Sequence, residues 1–327
     1  MREPVLVTGG AGFLGSQLVR LLHEAGLETL SLDIAQPPPD APAAVVHHQG
    51  SLLDTATLMP LVARAGTIFH MAAVATLWQR DPALYDRVNH EGTERLLAAI
   101  RAAGGDRRLV VTSTALILRG WDDPDPRPVR IGDPTPPLTA MPGPYSRAKW
   151  RADAAVRHAV TEGLDAILLY PTVPIGPAGR HVTEPTDMIR RFLTNPPPAY
   201  LPTSLNLVDV EDAALAHLHA AERGVPGERF LLAGEDIAFE RLLVHLAEMS
   251  GREMPRRKVP YALAATAAHL GEALARITGR PPAASIEGVR AAKHGRLHDG
   301  SEIRRRLDWT PRPIAQTLAA MVQDLMG

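Results

Sequence analysis

The sequence predicts an α/β fold, a doubly wound parallel Rossmann sheet followed by a smaller, mainly helical C-terminal lobe. Three observations predict it. Val5 to Thr8 is a short apolar run that breaks into Gly9-Gly10-Ala11-Gly12-Phe13-Leu14-Gly15 and resumes as Ser16 to Leu22, which reads as strand, tight turn and helix. A second apolar run, Leu27 to Leu32, ends in Asp33, about twenty residues past the glycines. Strand-length apolar runs then alternate with helix-length amphipathic runs along the first half of the chain.

The turn carries the first chemistry. Gly9 and Gly12 let the backbone bend sharply and approach a ligand, Gly15 lets the helix pack on the strand, and the helix N-terminus offers unpaired amides to a pyrophosphate. A dinucleotide is the expected occupant. Asp33 stands where a carboxylate accepts both ribose hydroxyls of an adenosine, and Ile34-Ala35-Gln36 supplies no arginine for a 2'-phosphate. The expected cofactor is therefore NAD rather than NADP.

Bulk composition narrows the partners. A chain of 327 residues with 45% hydrophobic content suits one large α/β domain with a smaller lobe. A formal net charge of -1 without a long basic run gives no footprint for nucleic acid, so a small-molecule substrate is expected. The absence of cysteine excludes disulfides, a thiolate nucleophile and cysteine-ligated zinc. No targeting segment precedes the first strand, and the most apolar helical stretch, Val259 to Ile277, carries His269, Glu272 and Arg276, so no membrane span is expected and a cytoplasmic location is.

Beyond Asp33, residues 37–42 (Pro-Pro-Pro-Asp-Ala-Pro) read as a stiff loop, Ala43 to His48 as a strand and Asp54 to Ala65 as a helix. Thr67 to Ala73 reads as a buried strand running into small residues that allow backbone to lie against a cofactor, with His70 a packed strand-end residue. Pro82 to Ala102 reads as one long amphipathic helix containing Asn89, and Arg108 to Ser113 as the next strand. Gly120 to Pro144, rich in Pro, Asp and Gly, reads as a mobile surface loop over the cofactor.

Tyr145-Ser146-Arg147-Ala148-Lys149 opens a helix that runs to about Glu162. Residues four apart share a helix face, so Tyr145 and Lys149 project side by side. A phenol titrates near about 10 in water, and a neighbouring ammonium stabilises its phenolate and brings proton transfer into range. Lys149 is also placed to hold a nicotinamide ribose. The C-terminal part supplies further elements at Asp187 to Leu193, Glu211 to Arg223, Arg229 to Leu232, Phe239 to Ser250, Tyr261 to Ile277 and Ile314 to Leu325. Its histidines lack acidic or histidine partners at ligand spacing, so no metal is expected.

The glycine turn, Asp33, Asn89, Val111-Thr112-Ser113-Thr114 and the Tyr145/Lys149 pair together resemble the extended short-chain dehydrogenase/reductase superfamily, in its NAD-dependent epimerase/dehydratase family. Tyr170 to Pro177, Leu205 to Ala213, Leu77-Trp78 and Pro198-Ala199-Tyr200 are similar to proteins named hopanoid-associated sugar epimerases and to dihydroflavonol reductases, over nearly the whole chain. The resemblance implies an NAD-binding domain over residues 1–170, with sheet and helix contributions from about 205–225. It implies a substrate-binding lobe over 171–204 and 226–327.

Position by position, the resemblance implies that Gly9, Gly12, Phe13 and Leu14 meet the pyrophosphate and that Asp33 and Ile34 meet the adenosine ribose. Ser51 and Leu52 fall at the adenine, where the superfamily often has Asp in place of Ser51. Met71, Ala72 and Ala73 match the backbone wall beside the cofactor, Asn89 the polar residue behind it, Thr112 the neighbouring strand end and Pro171 the strand end near the carboxamide. Thr114 stands at the catalytic serine position, keeping the hydroxyl but adding a methyl, and Ser113 is the alternative hydroxyl. Nucleotide-sugar epimerases of the superfamily usually place an Asn where this chain has Val173, so a diphosphate loses a polar partner. Thr76, Leu77, Trp78, Val173, Met188, Ile189 and Phe192 are expected to line a largely apolar substrate cavity, with inter-lobe core as the alternative for each. Arg180 and His181 are the nearest cationic candidates for an acidic substrate group.

The expected function is an NAD-dependent oxidoreductase acting on a secondary alcohol or ketone of apolar or polycyclic framework, hydroxysteroid-like or flavonol-like, through Thr114, Tyr145 and Lys149. The alternative is an NAD-dependent sugar or nucleotide-sugar epimerase using the same residues. A non-catalytic dinucleotide-binding sensor is a minor third. Relatives of this kind often dimerise through the two helices read here at Pro82 to Ala102 and Tyr145 to Glu162, so a homodimer is an expectation.

Overall fold

Two periodicities in the sequence build the molecule, and a computed structural model describes residues 1–177 and 183–326 of it. The first half runs β1 (Val5–Thr8), α1 (Phe13–Glu24), β2 (Thr29–Asp33), β3 (Val46–Gln49), α2 (Thr55–Arg64), β4 (Thr67–His70), α3 (Ala83–Tyr85), α4 (Gly92–Ala103), β5 (Arg108–Thr112), α5 (Pro144–Thr161) and β6 (Asp165–Pro171). The second half runs β7 (Val173–Ile175), α6 (Glu184–Thr194), β8 (Ala199–Tyr200), β9 (Ser204–Asp209), α7 (Val210–Arg223), β10 (Arg229–Leu232), β11 (Glu235–Ala238), α8 (Phe239–Ser250), β12 (Arg257–Lys258), α9 (Tyr261–Thr278), α10 (Ile286–Ala291), α11 (Ser301–Leu307) and α12 (Ile314–Met326).

Seven parallel strands form the main sheet in the order β10-β6-β5-β4-β1-β2-β3. Alternate residues of a strand face opposite ways, so Leu6, Leu109, Val111 and Leu168 pack under α2, α4 and α5, whereas Val5, Val7, Val110 and Ile167 pack under α1, α7 and α11. The order in which the strands are laid down reverses between β1 and β4. A crevice opens there at the carboxyl ends of the strands, which is where such sheets take ligands.

The small lobe has its own core, in which Phe192, Tyr200, Leu207, Phe239, Leu242 and Leu318 bring α6, α8 and α12 onto a three-stranded sheet of order β11-β9-β7. This redraws the expected domain limits. The segment from about 205 contributes α7 to the main sheet's covering layer, but its strand β9 belongs to the small sheet. The seventh main-sheet strand is β10, which lies within the stretch assigned to the substrate lobe.

Three local readings change as well. The third strand starts at Val46 rather than Ala43, because Ala43 to Val45 still belong to the turn closed by the Val45 amide on the Pro42 carbonyl. The long helix expected from Pro82 is broken by a π-helical turn, Asp86–Glu91, which aims Asn89 inward. Residues 120–143 are not a free loop: Val129 and Met141 are buried in the core, and Val129 exchanges backbone bonds with Leu297 and Asp299. The Arg296 guanidinium donates to the carbonyls of Arg119 and Asp123, fastening the segment to the C-terminal part.

Candidate active site

The turn after β1 is shaped by contact as much as by conformation. Gly9 has a positive φ of 75°, and a Cβ there would fall 2.6 Å from the Ala72 nitrogen. A Cβ on Gly15 would fall 2.0 Å from the Gly9 carbonyl oxygen. Met71 and Ala72 are thus a wall pressed against the turn, and Ala73 continues it half-buried. No side chain caps α1 at Gly12, so the first-turn amides of Phe13 and Leu14 face the crevice as anion donors. Asp33 Oδ2 accepts from the Ala11 amide at 3.0 Å and Oδ1 from the Ala35 amide at 2.9 Å, which fixes the carboxylate beside the turn. Ile34 next to it is 72% exposed. A pyrophosphate cradle with a fixed carboxylate one strand away fits a dinucleotide with free ribose hydroxyls, hence NAD.

Other expected cofactor positions have a more structural placement. Asn89 is buried, and its amide clamps the Val74 backbone, accepting from the nitrogen at 2.7 Å and donating to the oxygen at 3.0 Å. It shapes the wall from behind. Ser51 Oγ accepts from the Leu53 amide at 3.1 Å, and Leu52 lies in the core against Gly92. His70 bridges Thr8 and Thr93 at 2.9 Å to each hydroxyl, and burial holds its pKa down to about 3, so it stays neutral.

At the end of β5 the catalytic candidates converge. Pro144 at the first turn of α5, after extended Gly143, starts the helix so that Tyr145 and Lys149 both turn inward, each 8% exposed. Lys149 Nζ donates to the Thr112 carbonyl at 2.6 Å, while the Thr112 hydroxyl lies 2.9 Å from His217 Nε2. Burial pushes Lys149 down to about 8, and the Asp153 carboxylate one turn on opposes that shift. Burial lifts the Tyr145 phenol well above its usual range, and its hydrogen bond with the Thr114 side chain partly offsets the rise. Ser113 faces elsewhere, donating to Asp153 Oδ1 at 3.1 Å. Pro171 closes β6 beside Leu232, with Thr172 bonded to Asn206.

The residues expected to line the substrate cavity separate. Trp78 lines a cavity of about 190 Å³ together with Leu77, Tyr85, Pro144, Arg147 and Glu287, and the exposed Thr76 hydroxyl braces the same loop by donating to the Trp78 carbonyl at 3.2 Å. Val173, Met188 and Phe192 belong to the small-lobe core, Phe192 edge-on to Phe239 with ring centroids 5.5 Å apart. That packing lies within the small lobe rather than between the lobes, the alternative raised for them. Arg180 and His181 lie outside the described residues.

Three further residues around Tyr145 and Lys149 carried no local signal. Tyr85 meets its ring edge-on, centroids 6.0 Å apart. Glu287, buried on α10, accepts from the Tyr145 and Ser146 amides at 3.0 and 2.8 Å, capping α5 from a segment 142 residues away. Asp153, the third, sits one turn beyond Lys149 and also accepts from Arg157 Nε at 2.7 Å. Among the described residues no group of three or more His, Asp or Glu side chains is arranged to hold a metal ion.

Comparison with known proteins gives a consistent outcome. A family model described as the NAD dependent epimerase/dehydratase family matches residues 5–233. The chain is 32% identical to a protein named putative dihydroflavonol 4-reductase from Synechocystis sp. over 98% of its own length and 94% of that protein's. It is 28% identical to sterol demethylase protein B of Methylococcus capsulatus, over 97% and 96%. The crystal structure of gox2253 superposes with a TM-score of 0.82 at 29% identity, covering 99% of this chain and 98% of that one.

Proposed function

The chain belongs to the NAD-dependent epimerase/dehydratase family, and from that premise we propose that it is an NAD-dependent oxidoreductase interconverting a secondary alcohol and a ketone on an apolar, polycyclic framework. One observation supports the reading: the buried Tyr145 phenol lies beside the Thr114 side chain, and the Lys149 ammonium is bonded to the Thr112 carbonyl, both at the end of β5 next to the strand whose wall faces the glycine turn. When bound, NAD supplies or accepts the hydride at carbon. In the reducing direction Tyr145 Oη, held protonated by burial, gives its proton to the carbonyl oxygen as hydride reaches the carbon, so ketone, hydride and proton balance to alcohol. Thr114 donates to the same oxygen and orients it. Lys149, anchored on the Thr112 carbonyl, stabilises the phenolate left behind, and proton return from solvent completes the cycle.

The substrate class rests on two supports. Val173 offers no amide to a diphosphate, and the relatives' names speak of a flavonol and of a sterol, both polycyclic. The test is turnover of reduced NAD with a panel of flavonoid and steroid ketones. Tyr145→Phe should lower kcat by about 10²- to 10⁴-fold and leave NAD affinity unchanged. A Tyr145→Phe variant with unaltered turnover would reject the assignment.

A further inference from the structure

Helix α9 turns its large apolar side chains away from the protein. Leu263, Leu270, Leu274 and Ile277 are 60%, 69%, 61% and 81% exposed. At 3.6 residues per turn these four fall within about 60° of arc, and exposed Thr266, Ala267 and Ala273 widen the same face without adding a charge. The inward side is the reverse, with Ala268 and Ala275 buried and with His269, Glu272 and Arg276 lining the cavity beside Trp78 and Tyr85. Single exposed leucines are ordinary; four in register on one helix form a patch.

Both ends of this helix are basic. Arg256, Arg257 and Lys258 precede it, all exposed, with Lys258 also pairing Glu240. Arg280 follows it, and Arg80 reaches Gly279, where an added Cβ would lie 3.5 Å from the guanidinium. We propose that this face of α9 seats the protein on an anionic lipid bilayer, with the apolar row at the acyl boundary and the basic ends on headgroup phosphates. No described helix is long and apolar enough to cross a membrane, so the contact is peripheral. A second copy is a poorer occupant. Pairing α9 with itself about a two-fold axis sets cation against cation in either orientation, whereas an anionic surface complements both ends. The inference stands apart from the substrate assigned above, and its test needs no substrate.

The test is co-sedimentation of the full chain with vesicles of phosphatidylglycerol and phosphatidylcholine, against vesicles of phosphatidylcholine alone. The double variant Leu270→Glu/Leu274→Glu, checked for folding by circular dichroism and for NAD binding, is run alongside. The wild-type protein should pellet with the anionic vesicles, bind at least about tenfold less to the neutral ones and release as salt rises, and the double variant should lose at least about tenfold. A wild-type protein that ignores anionic vesicles, or a double variant that binds as well, would overturn the proposal. So would a wild-type dimer in sedimentation velocity that the double variant dissociates, since that assigns the face to self-association.

Discussion

Lys149 meets two opposing effects in its few ångströms of surroundings, and the balance sets where its ammonium loses its proton. Burial wins over the Asp153 carboxylate and brings the ammonium down to about 8 from its ordinary 10.5. The cation is complete below that pH and lost above it, so kcat/KM should fall on the alkaline side through about 8. Asp153→Asn removes the charge that opposes the shift, and the alkaline limb of its pH profile should move to lower pH; a limb that does not move would separate Asp153 from the site. For stability the sign is the reverse. The buried ammonium destabilises the folded state below about pH 8, and that penalty fades as pH rises toward 10.5. Spacing within one helix is enough to read Tyr145 and Lys149 as a pair, because residues four apart must share a face. Thr114 and Ser113 are not separable that way: adjacent residues at a strand end diverge, and only the fold shows Ser113 turned to Asp153, 40 residues away.

The elements that hold these residues were legible in proportion to how local their causes are. The glycine turn, β1, α1 and β2 follow from apolar runs and from glycines at positions where a Cβ would strike backbone. The π turn before α4 left no such mark, since one extra residue per turn shifts an amphipathic pattern too little to be seen over six residues. The capping of α5 was equally invisible, because its carboxylate comes from α10. Gly143 is the element-scale test of that arrangement. A Cβ there would fall 2.2 Å from Glu287 Oε2, in a buried site, so Gly143→Ala should destabilise the fold by about 1–3 kcal/mol in chemical denaturation and lower turnover by misplacing Tyr145. A variant as stable as the wild-type protein would mean that Glu287 does not bear on the helix start.

At the scale of the whole molecule, the Pro- and Asp-rich segment that composition marks as mobile is held on the main-sheet core by residues of the C-terminal part. Its anchors are Arg296 and Lys293, the latter paired with Asp122, and both lie more than 150 residues along the chain. Composition describes what a segment does alone, and tertiary partners override it. The same distance effect moved β10 into the main sheet and β9 out of it. Family membership and NAD dependence belong to this scale too, since they rest on the match across residues 5–233 as well as on single positions.

The measurement that tests the central claim most directly is the nicotinamide balance of turnover, with reduced NAD in large excess over the protein and a polycyclic ketone as substrate. An oxidoreductase that exchanges its cofactor each cycle forms oxidised NAD in step with alcohol, many molecules per protein molecule. An isomeric product formed with no net change in nicotinamide oxidation state would contradict it, and would assign the same Thr114, Tyr145 and Lys149 to epimerisation.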